Sequence, residues 1–496
     1  MSSTDARTET YVPDPNRWRA LWVTLVAGFM SLLDVSIVSV ALPSIQESLG
    51  TGPAAVQWVV SGYALTFGLA LVPAGRLGDA LGRRRMFLAA LAGFVLFSAL
   101  AGAAPTPETL VVARLAQGFA AGALAPQNSG LIQQLFRDAE RGRAFGFFGA
   151  VVGISTAIGP VAGGLILALA GQPDGWRWIF YVNVPIGVVA LVLAARLIPR
   201  RAATRGIGSI DVAGALLLGG GVLCVLLPLA DADAGGLASM WWLFPVGAAL
   251  VVAFVLWERR VVRRDGEPLL DPRLVTGTPG YATGAALGTV YFLGFSGVWL
   301  VFALFLQLGL GYSPLHSGLS VTAFALGSAV SAVVGGRLVE RFGRRLTVIG
   351  LVGVLVGLAV TIVVVLTVPP DALTWAMAPS LLVAGIGGGL VISPNITLTL
   401  REVPVRMAGS AGGALQTGQR IGAAVGTAAL PGVFYVVLAG GRSYPVAAAV
   451  ALGAATLSVA AALVIAVLDA RNEKRRAHRT CSEEEKHSHD HAAHVT

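Results

Sequence analysis

Charged residues are scarce in this chain of 496 residues: 12% are Asp, Glu, Lys or Arg. A soluble globular domain carries about 25%, because water must wet its surface. Hydrophobic residues make up 55% of the chain, and the mean hydropathy is +0.76. This composition excludes an ordinary soluble protein and predicts that most of the outer surface contacts a lipid bilayer.

Lysine and cysteine are also rare. Lys474 and Lys486 are the two lysines, and neither stands in a G-K-[ST] context, which excludes a phosphate-binding P-loop. Cys224 and Cys481 fall in a predicted helix and in the C-terminal tail, so no disulfide framework is expected. The chain also lacks a G-x-S-x-G motif or a metal-ligand cluster near a predicted membrane face. The irregular histidines of the tail (His478, His487, His489, His491 and His494) favour a solvated segment over a metal site.

Long apolar stretches dominate the rest of the sequence. A bilayer core of about 30 Å takes roughly 20 helical residues to cross. Stretches of that kind lie at 20–43, 56–75, 86–104, 109–134, 143–169, 178–198, 210–230, 238–257, 281–308, 314–336, 346–368, 373–399, 406–436 and 444–468. The first has no A-x-A cleavage site, so it is expected to be a membrane span and not a signal peptide.

The basic residues indicate which loops face the cytoplasm. With both termini inside, all but four of the 35 basic residues fall on the cytoplasmic side. Arg177 and Arg442 lie outside, and Arg114 and Arg420 lie within spans. Because positive loops stay in the cytoplasm, this pattern favours an even number of spans, with fourteen as the best fit. The net charge of +9 is therefore attributed to multi-pass topology in the cell membrane, and no nucleic-acid partner is expected.

The chain contains an internal repeat. Residues 75–85 read GRLGDALGRRR, and residues 336–345 read GRLVERFGRR. Their separation fits two six-helix halves, at 20–198 and 276–468, with two additional helices and their loops at 199–275. The flanking segments are a cytoplasmic N-terminus at 1–19 and a disordered cytoplasmic tail at 469–496. In proteins built from two such halves, the substrate site lies near the membrane midplane between them.

The first copy of the repeat resembles the cytoplasmic loop signature of the major facilitator superfamily, G-x-L-a-D-r-x-G-r-k. It departs from that signature at Gly78 and Ala80. Four further segments are similar to features of the fourteen-helix drug–proton antiporters of that family: LDVSIVSVALP at 33–43, RLAQG at 114–118, GISTAIGPVAGG at 153–164 and WRWIFYVNVPIG at 176–187. The similarity covers about residues 18–468.

This resemblance implies an all-α major facilitator fold, with two six-helix halves and two additional central helices. It also implies a proton-coupled antiporter that exports lipophilic or cationic small molecules such as drugs or antibiotics. Such a protein exchanges its small-molecule substrate for protons, uses no cofactor or metal, and works as a monomer in the bilayer. Two alternatives stay open: a proton symporter that imports a metabolite, and a membrane-embedded enzyme or sensor.

Asp34 is the acidic residue predicted to lie deepest in a membrane helix. An ionisable group there costs several kcal/mol unless it is paired or solvated, which makes a functional role the default interpretation. A carboxylate whose protonation depends on its partner can carry protons through a transport cycle, whereas the alternative is a structural hydrogen bond. Arg114, in the segment that resembles a family motif for proton transfer, is its predicted partner. Its position near the outer end of a span also allows it to reach the interface.

Arg420 is the third charged residue inside a predicted span. Its span contains no acidic residue, so we expect it to face a water-filled cavity or an acid on another helix. Further polar and aromatic residues in the spans are candidates for the substrate cavity. They are Gln57, Tyr63, Gln117, Asn128, Gln307, Asn395, Gln416 and Gln419.

Two groups of residues are predicted to act in conformational change. In the segment 153–164, proline kinks the helix and glycines allow close helix contact; the candidates are Gly153, Gly159, Pro160, Gly163 and Gly164. In the loop repeats, an acidic residue is expected to pair with arginines or to sit at a helix N-terminus, where the helix dipole favours negative charge. The candidates for this latch are Gly75, Asp79, Gly82, Arg83, Arg84, Glu340, Gly343 and Arg344.

Overall fold

The computed structural model describes residues 14–51, 53–171, 173–200, 211–230, 236–264, 266 and 268–493, and within these ranges it contains helices and no β-strand. The α-helices are α1 (Arg17–Leu49), α2 (Pro53–Leu81), α3 (Arg83–Gly102), α4 (Pro107–Leu135), α5 (Asp138–Ala170), α6 (Arg177–Tyr181), α7 (Asn183–Leu197), α8 (Val212–Ala230), α9 (Gly236–Ser239), α10 (Leu243–Arg263), α11 (Arg273–Gly277), α12 (Tyr281–Leu304), α13 (Pro314–Ser320), α14 (Thr322–Phe342), α15 (Arg344–Thr367), α16 (Pro370–Leu400), α17 (Ala408–Ala439) and α18 (Tyr444–Ala493). The predicted all-α class is confirmed.

Twelve of the described segments are long and apolar enough to cross a membrane. They involve α1 to α4, the segment from Asp174 to the end of α7, α8, α12, and α14 to α18. The two remaining predicted spans correspond to α5, with 33 residues, and α10, with 21 residues. The chain is therefore a multi-pass membrane protein, and the number fourteen stays a prediction.

The outer surface of the bundle is apolar, as a lipid-facing surface requires. Helix α15 illustrates this, because its outward residues repeat at helical spacing. Ile349, Val352, Val356, Val360 and Val363 are 44% to 58% exposed. Its opposite face packs along α16 and α18. A helix that is apolar on both faces is expected in a membrane and not at the surface of a soluble protein.

Helix pairing repeats between the two ends of the chain. In the first part, α1 packs along α5, α2 along α4, α3 along α4, and α3 along α7. In the second part, the corresponding pairs are α12 with α17, α14 with α16, α15 with α16, and α15 with α18. The two parts meet through α2 with α17 and through α5 with α14. We call α1 to α7 the N-terminal half and α12 to α18 the C-terminal half.

The helices between the halves pack at the junction. Helix α8 lies along α10, and it also contacts α2 and α17, one helix from each half. An apolar cluster holds it there, with Val222 and Leu226 of α8 packed against Leu65 of α2 and Ile421 of α17. The additional helices therefore cover one side of the contact between the halves.

The C-terminal segment differs from the prediction. The sequence suggests a disordered tail from residue 469, whereas α18 continues as a helix to Ala493. Its continuation is fixed at Asp469, whose carboxylate pairs with Arg344 at 2.6 Å and accepts a hydrogen bond from Thr283 at 2.6 Å. Asp469 therefore belongs to the packed C-terminal half. Of the tail histidines, His494 lies outside the described residues.

Candidate functional site

Asp34 and Arg114 form a buried ion pair between α1 and α4, and neither side chain is exposed. The same guanidinium nitrogen donates to Gln117 Oε1 at 2.8 Å, and Arg114 Nε donates to the Val59 carbonyl at 2.9 Å. Arg114 is directed into the N-terminal half by these bonds. It does not reach the membrane interface, which was the alternative considered from the sequence.

The start of α4 fixes the depth of Arg114. Thr106 caps this helix, accepting a hydrogen bond from the Thr109 amide at 3.4 Å, and Pro107 occupies the first helical position. Proline is favoured there because its missing N–H is not needed. Arg114 and Gln117 follow two turns later at a spacing of three, so they share one face of the helix. Both can therefore reach the same carboxylate.

Asp34 receives two further hydrogen bonds. Gln117 Nε2 donates to Oδ1 at 3.1 Å, and Asn183 Nδ2 donates to the same oxygen at 3.2 Å. Asn183 also donates to Ser98 Oγ at 3.2 Å. The surroundings of Asp34 therefore consist mainly of donors, which suits a carboxylate that is ionised and accepts only. Sequence reasoning missed Asn183 and Ser98, although Asn183 lies within the segment WRWIFYVNVPIG.

Aromatic rings flank the guanidinium of Arg114. Its central carbon lies 4.2 Å from the ring centre of Tyr63 and 5.5 Å from that of Phe180. The Tyr63 hydroxyl donates to the Ser31 carbonyl at 2.8 Å, which holds the ring in place. Arg114 Nη2 is buried and has no hydrogen-bond partner in the described part of the chain. The predicted residues Asp34, Tyr63, Arg114 and Gln117 thus form one cluster, which we call the Asp34 cluster.

Arg420 lies outside this cluster but close to it. Its guanidinium carbon is 4.3 Å from the ring centre of Phe67, one turn along α2 from Tyr63. Gln416 donates to Ser129 Oγ at 3.4 Å, across the contact between the halves. Gln419 lies on another face of α17, beside Gly288 of α12. Two of the three predicted α17 cavity residues therefore face the N-terminal half.

The remaining cavity candidates are dispersed. Asn128 is buried against Gly28, and its Oδ1 has no partner among the described residues. Gln307 is partly exposed, in the π-helical segment Phe305–Gly309. Asn395 accepts from Arg344 at 2.7 Å and donates to the Gly284 carbonyl at 2.9 Å, so the structure places it in the packing of the C-terminal half. The side chain of Gln57 lies outside the described residues.

Asp79, in the first loop repeat, sits at the N-terminus of α17. Its carboxylate accepts from the Gly409 amide at 3.1 Å and from the Ser410 amide at 2.9 Å. Arg83 pairs with the same carboxylate at 2.9 Å. It also donates to the carbonyl groups of Gly130 and Val405, which joins the two halves. Asp79 thus has both partners expected for the latch, arginine and a helix N-terminus.

The first glycine of each repeat makes the closest contact between the halves. A Cβ atom on Gly75 would lie 2.4 Å from the carbonyl oxygen of Gly409. A Cβ atom on Gly336 would lie 2.4 Å from the carbonyl oxygen of Gly142. Real Cβ atoms do not approach so closely, so both positions require glycine. We call this end of the bundle the repeat face; the halves are in backbone contact there.

The second repeat has different partners from the first. Glu340 is exposed, and the structure shows no ion pair for it among the described residues. Arg344 pairs instead with Asp469, a residue that sequence reasoning assigned to the tail. Gly82 and Gly343 share a backbone role, because both have positive φ, of 98° and 54°, directly before a helix that begins with arginine. The two repeats are therefore similar in backbone and different in charge pairing.

The other predicted conformational residues lie in several contacts. Arg84 donates to the Ala195 carbonyl at 2.5 Å, within the N-terminal half. A Cβ atom on Gly159 would lie 2.0 Å from Ser36 Oγ, so α1 and α5 touch at this point. A Cβ atom on Gly153 would lie 3.4 Å from Oγ of Ser328, in the opposite half. Gly163 is buried, Gly164 has open space around it, and the side chain of Pro160 lies outside the described residues.

An aromatic cluster occupies the C-terminal half. The rings of Tyr291 and Phe295 stack at 5.6 Å, and those of Trp299 and Phe324 meet edge to face at 4.8 Å. The Tyr291 hydroxyl and Trp299 Nε1 are buried polar atoms without a partner among the described residues. Such groups normally find a partner when buried. This apolar cluster therefore offers two unused hydrogen-bonding groups.

The fold and these sites together define a membrane transporter: two similarly paired helix bundles meet around buried charged side chains. The chain belongs to the Major Facilitator Superfamily, whose family model matches residues 24–427 and 284–488. Proteins of this family move small molecules across membranes. The chain is accordingly a transporter and not an enzyme.

Individual relatives are similar over most of the chain. It is 36% identical over 429 residues to the probable actinorhodin transporter of Streptomyces coelicolor, covering 86% of this chain and 74% of that protein. It is 38% identical over 422 residues to the puromycin resistance protein pur8 of Streptomyces alboniger, covering 84% of this chain and 82% of that protein. The solved structure of the human organic anion transporter MFSD10 aligns with a TM-score of 0.66 at 14% identity, covering 91% of this chain and 100% of that chain. At that identity, the likeness shows the fold alone.

Proposed function

We propose that this protein exports lipophilic small molecules, such as antibiotics, from the cell in exchange for protons. The names of its relatives support export, since they refer to an antibiotic that is transported or resisted. The Asp34 cluster carries the proposal for proton exchange, because it holds a buried carboxylate that can be protonated or ionised. The protein works as a monomer in the cell membrane, without a cofactor and with both termini in the cytoplasm.

Protonation of Asp34 changes the hydrogen bonds of the cluster. The ionised carboxylate accepts from Arg114, Gln117 and Asn183. The neutral acid has an O–H to donate, and it no longer forms an ion pair with Arg114. Breaking a buried ion pair leaves an uncompensated charge, which costs several kcal/mol. The arrangement of α1, α4 and α7 therefore depends on whether a proton is bound, and this dependence couples proton entry to movement.

The repeat face is the proposed cytoplasmic gate. In this structure the repeat face is closed. Gly75 contacts Gly409, Gly336 contacts Gly142, and the Asp79 carboxylate accepts hydrogen bonds at the N-terminus of α17. Opening toward the cytoplasm must break these contacts. Coupling free energies between two sites of a protein are typically about 1–3 kcal/mol. A hydrogen bond to a charged group, such as the Asp79 carboxylate, contributes about 1.5–3 kcal/mol, which is in the same range.

The proposed lipophilic character of the substrate rests on the aromatic cluster of the C-terminal half. Ligand pockets are mostly apolar, with a few polar groups that fix orientation. The rings of Tyr291, Phe295, Trp299 and Phe324, together with the unused Tyr291 hydroxyl and Trp299 Nε1, fit that description.

We also assign α5 and the apolar part of α10 as the two spans that complete a fourteen-helix topology.

Transport in everted membrane vesicles tests this function. With an acidic lumen, the native protein is expected to concentrate a panel of lipophilic antibiotics inside and to release protons as it does so. Asp34→Asn should abolish this uptake, while Glu108→Gln, which removes an exposed carboxyl group at the start of α4, should not. A substrate gradient imposed without a pH gradient would instead identify a symporter if protons move in the same direction as the substrate. Equal uptake by Asp34→Asn and the native chain would remove Asp34 from the mechanism.

A further inference from the structure

Arg420 lies on the face of α17 that meets the N-terminal half. Along this face, Gly409 contacts Gly75 and Gly413 contacts Leu71 of α2. Eleven residues beyond Gly409, on the same face, the Arg420 guanidinium covers the ring of Phe67. The backbones of α2 and α17 touch at the repeat face, and farther into the bundle an arginine side chain fits between them. Arg420 is therefore positioned between the two halves.

The charge of Arg420 has no acidic partner among the described residues. Asp34 and Arg114 neutralise each other in the Asp34 cluster. Arg420 forms no ion pair with a described carboxylate. A cation near the middle of a span is costly unless it is paired or hydrated. The interior between the halves therefore carries an uncompensated positive charge.

The geometry of Arg420 leaves donors available to a ligand. Phe67 covers one face of the guanidinium, a contact that stabilises a cation without using its N–H groups. The five N–H donors lie at the edge of the planar group, where they match the two oxygens of a carboxylate. The side chain is partly exposed, and it rests on a buried ring of the opposite half.

We propose that Arg420 binds an anionic oxygen of the substrate, so that this transporter exports aromatic organic anions such as carboxylates or ionised phenols. This inference rests on the proposed function and specifies its substrate class. The rings of Phe67 and Tyr63, 6.1 Å apart, provide an aromatic wall beside the cation. The Tyr63 ring also stacks against the Arg114 guanidinium, so the anion site adjoins the proton site. Organic anions replace the cationic substrates that the sequence alone suggested.

Three fluorescent probes of one shape test the inference: anthracene-9-carboxylate, anthracene-9-carboxamide and 9-(aminomethyl)anthracene. In everted vesicles with an acidic lumen, we expect the native chain to concentrate the carboxylate. Loss of a charge-assisted hydrogen bond should lower that uptake about tenfold to a hundredfold in Arg420→Gln. Arg420→Lys should retain part of it, because lysine keeps the charge but lacks the planar fork. Arg442→Gln, which removes an exposed arginine, is the matched control.

Binding separates this inference from the proposed mechanism. Fluorescence titration of the purified full chain in detergent should show carboxylate binding that Arg420→Gln weakens and the control Arg442→Gln leaves within about twofold, and this measurement needs no proton gradient. Size-exclusion profiles identify any variant that fails to fold. Concentration of the amine or carboxamide but not of the carboxylate, each measured relative to vesicles without the protein, would overturn the anion site, as would equal carboxylate uptake by Arg420→Gln and the native chain. If no probe or antibiotic is concentrated, the proposed exporter fails, and the anion site is then decided by whether Arg420→Gln weakens carboxylate binding.

Discussion

Gly75 of α2 lies against Gly409 of α17 so closely that a Cβ atom on Gly75 would stand 2.4 Å from the Gly409 carbonyl oxygen. The equivalent glycine of the second repeat, Gly336, has the same relationship to Gly142 of α5. Both contacts join one half to the other. Closure of the repeat face therefore depends on the absence of a side chain at two symmetrical positions.

Gly75→Ala is expected to open the repeat face. Overpacking of a close contact costs about 1–3 kcal/mol, which shifts the balance between open and closed states about fivefold to 150-fold. A cysteine placed at Gln416, in a chain whose native cysteines are replaced, should then react faster with a thiol reagent added from the cytoplasmic side. Gly453→Ala, in α18, is the matched control, because apart from its chain neighbours and its own helix backbone no described atom lies within 4 Å of its Cβ position. Unchanged reactivity in Gly75→Ala would show that this contact does not limit opening.

Arg114→Gln is expected to change the pH dependence of transport. The substitution keeps a hydrogen-bond donor but removes the cation that pairs with Asp34. The charged form of the carboxylate then loses its ionic partner, so the dependence of transport on proton binding changes. Proton-driven uptake measured across a pH series would reveal the change. An unaltered profile, at whatever reduced rate, would show that the ion pair is not linked to the transported proton.

How far the sequence predicts the site depends on whether a contact is local or distant. Arg114 and Gln117 share a helix face, and the cost of a buried charge pointed to Asp34, so the centre of the cluster was predicted. Asn183 was missed because nothing in its own segment indicates that it reaches α1. The partners of the gate glycines, Gly142 and Gly409, were missed for the same reason, since each lies in the opposite half.

The second repeat shows why sequence symmetry does not guarantee symmetrical pairing. Gly409 and Ser410 lie in the first turn of α17, where backbone amides have no partner within the helix and can bind Asp79. Gly142, which faces Gly336, is the fifth residue of α5, so its amide is already used by the helix. Glu340 therefore has no equivalent group to bind. The prediction of a matching latch failed because it considered the loops and not the helices that face them.

Glu258→Gln is expected to stabilise the protein at alkaline pH. Glu258 lies near the charged end of α10, beyond the apolar stretch 238–257, where burial and then the charge of Asp211 raise the pKa of its carboxyl group to about 8. Between its usual pKa near 4.5 and about 8, the folded state retains a proton that the unfolded chain releases. The contribution of this group to stability therefore falls as pH rises through that window and is constant above it.

Thermal unfolding of the purified protein in detergent checks this expectation. Glu258→Gln and the native chain should differ little at about pH 5, and the variant should unfold at a higher temperature at about pH 9. Asp211→Asn should reduce the difference in unfolding temperature between the two pH values, because it removes the charge beside Glu258. The asparagine keeps an oxygen that can accept a hydrogen bond from the Gly214 amide. A native chain whose stability is the same at both values would contradict the raised pKa.

The charge moved per transport cycle should depend on whether the probe is an anion. Whatever the number of protons exchanged, export of anthracene-9-carboxylate moves one more negative charge outward than export of the carboxamide. A potential of 100 mV is worth about 2.3 kcal/mol per charge, or roughly fifty-fold in accumulation at equilibrium. In everted vesicles that transport both probes, collapsing the membrane potential with valinomycin and potassium should lower carboxylate accumulation by that additional factor. Collapsing the pH gradient with nigericin should affect both probes alike. Equal sensitivity to the potential would mean that the acid crosses in its neutral form, and a neutral acid gives Arg420 no charge to bind.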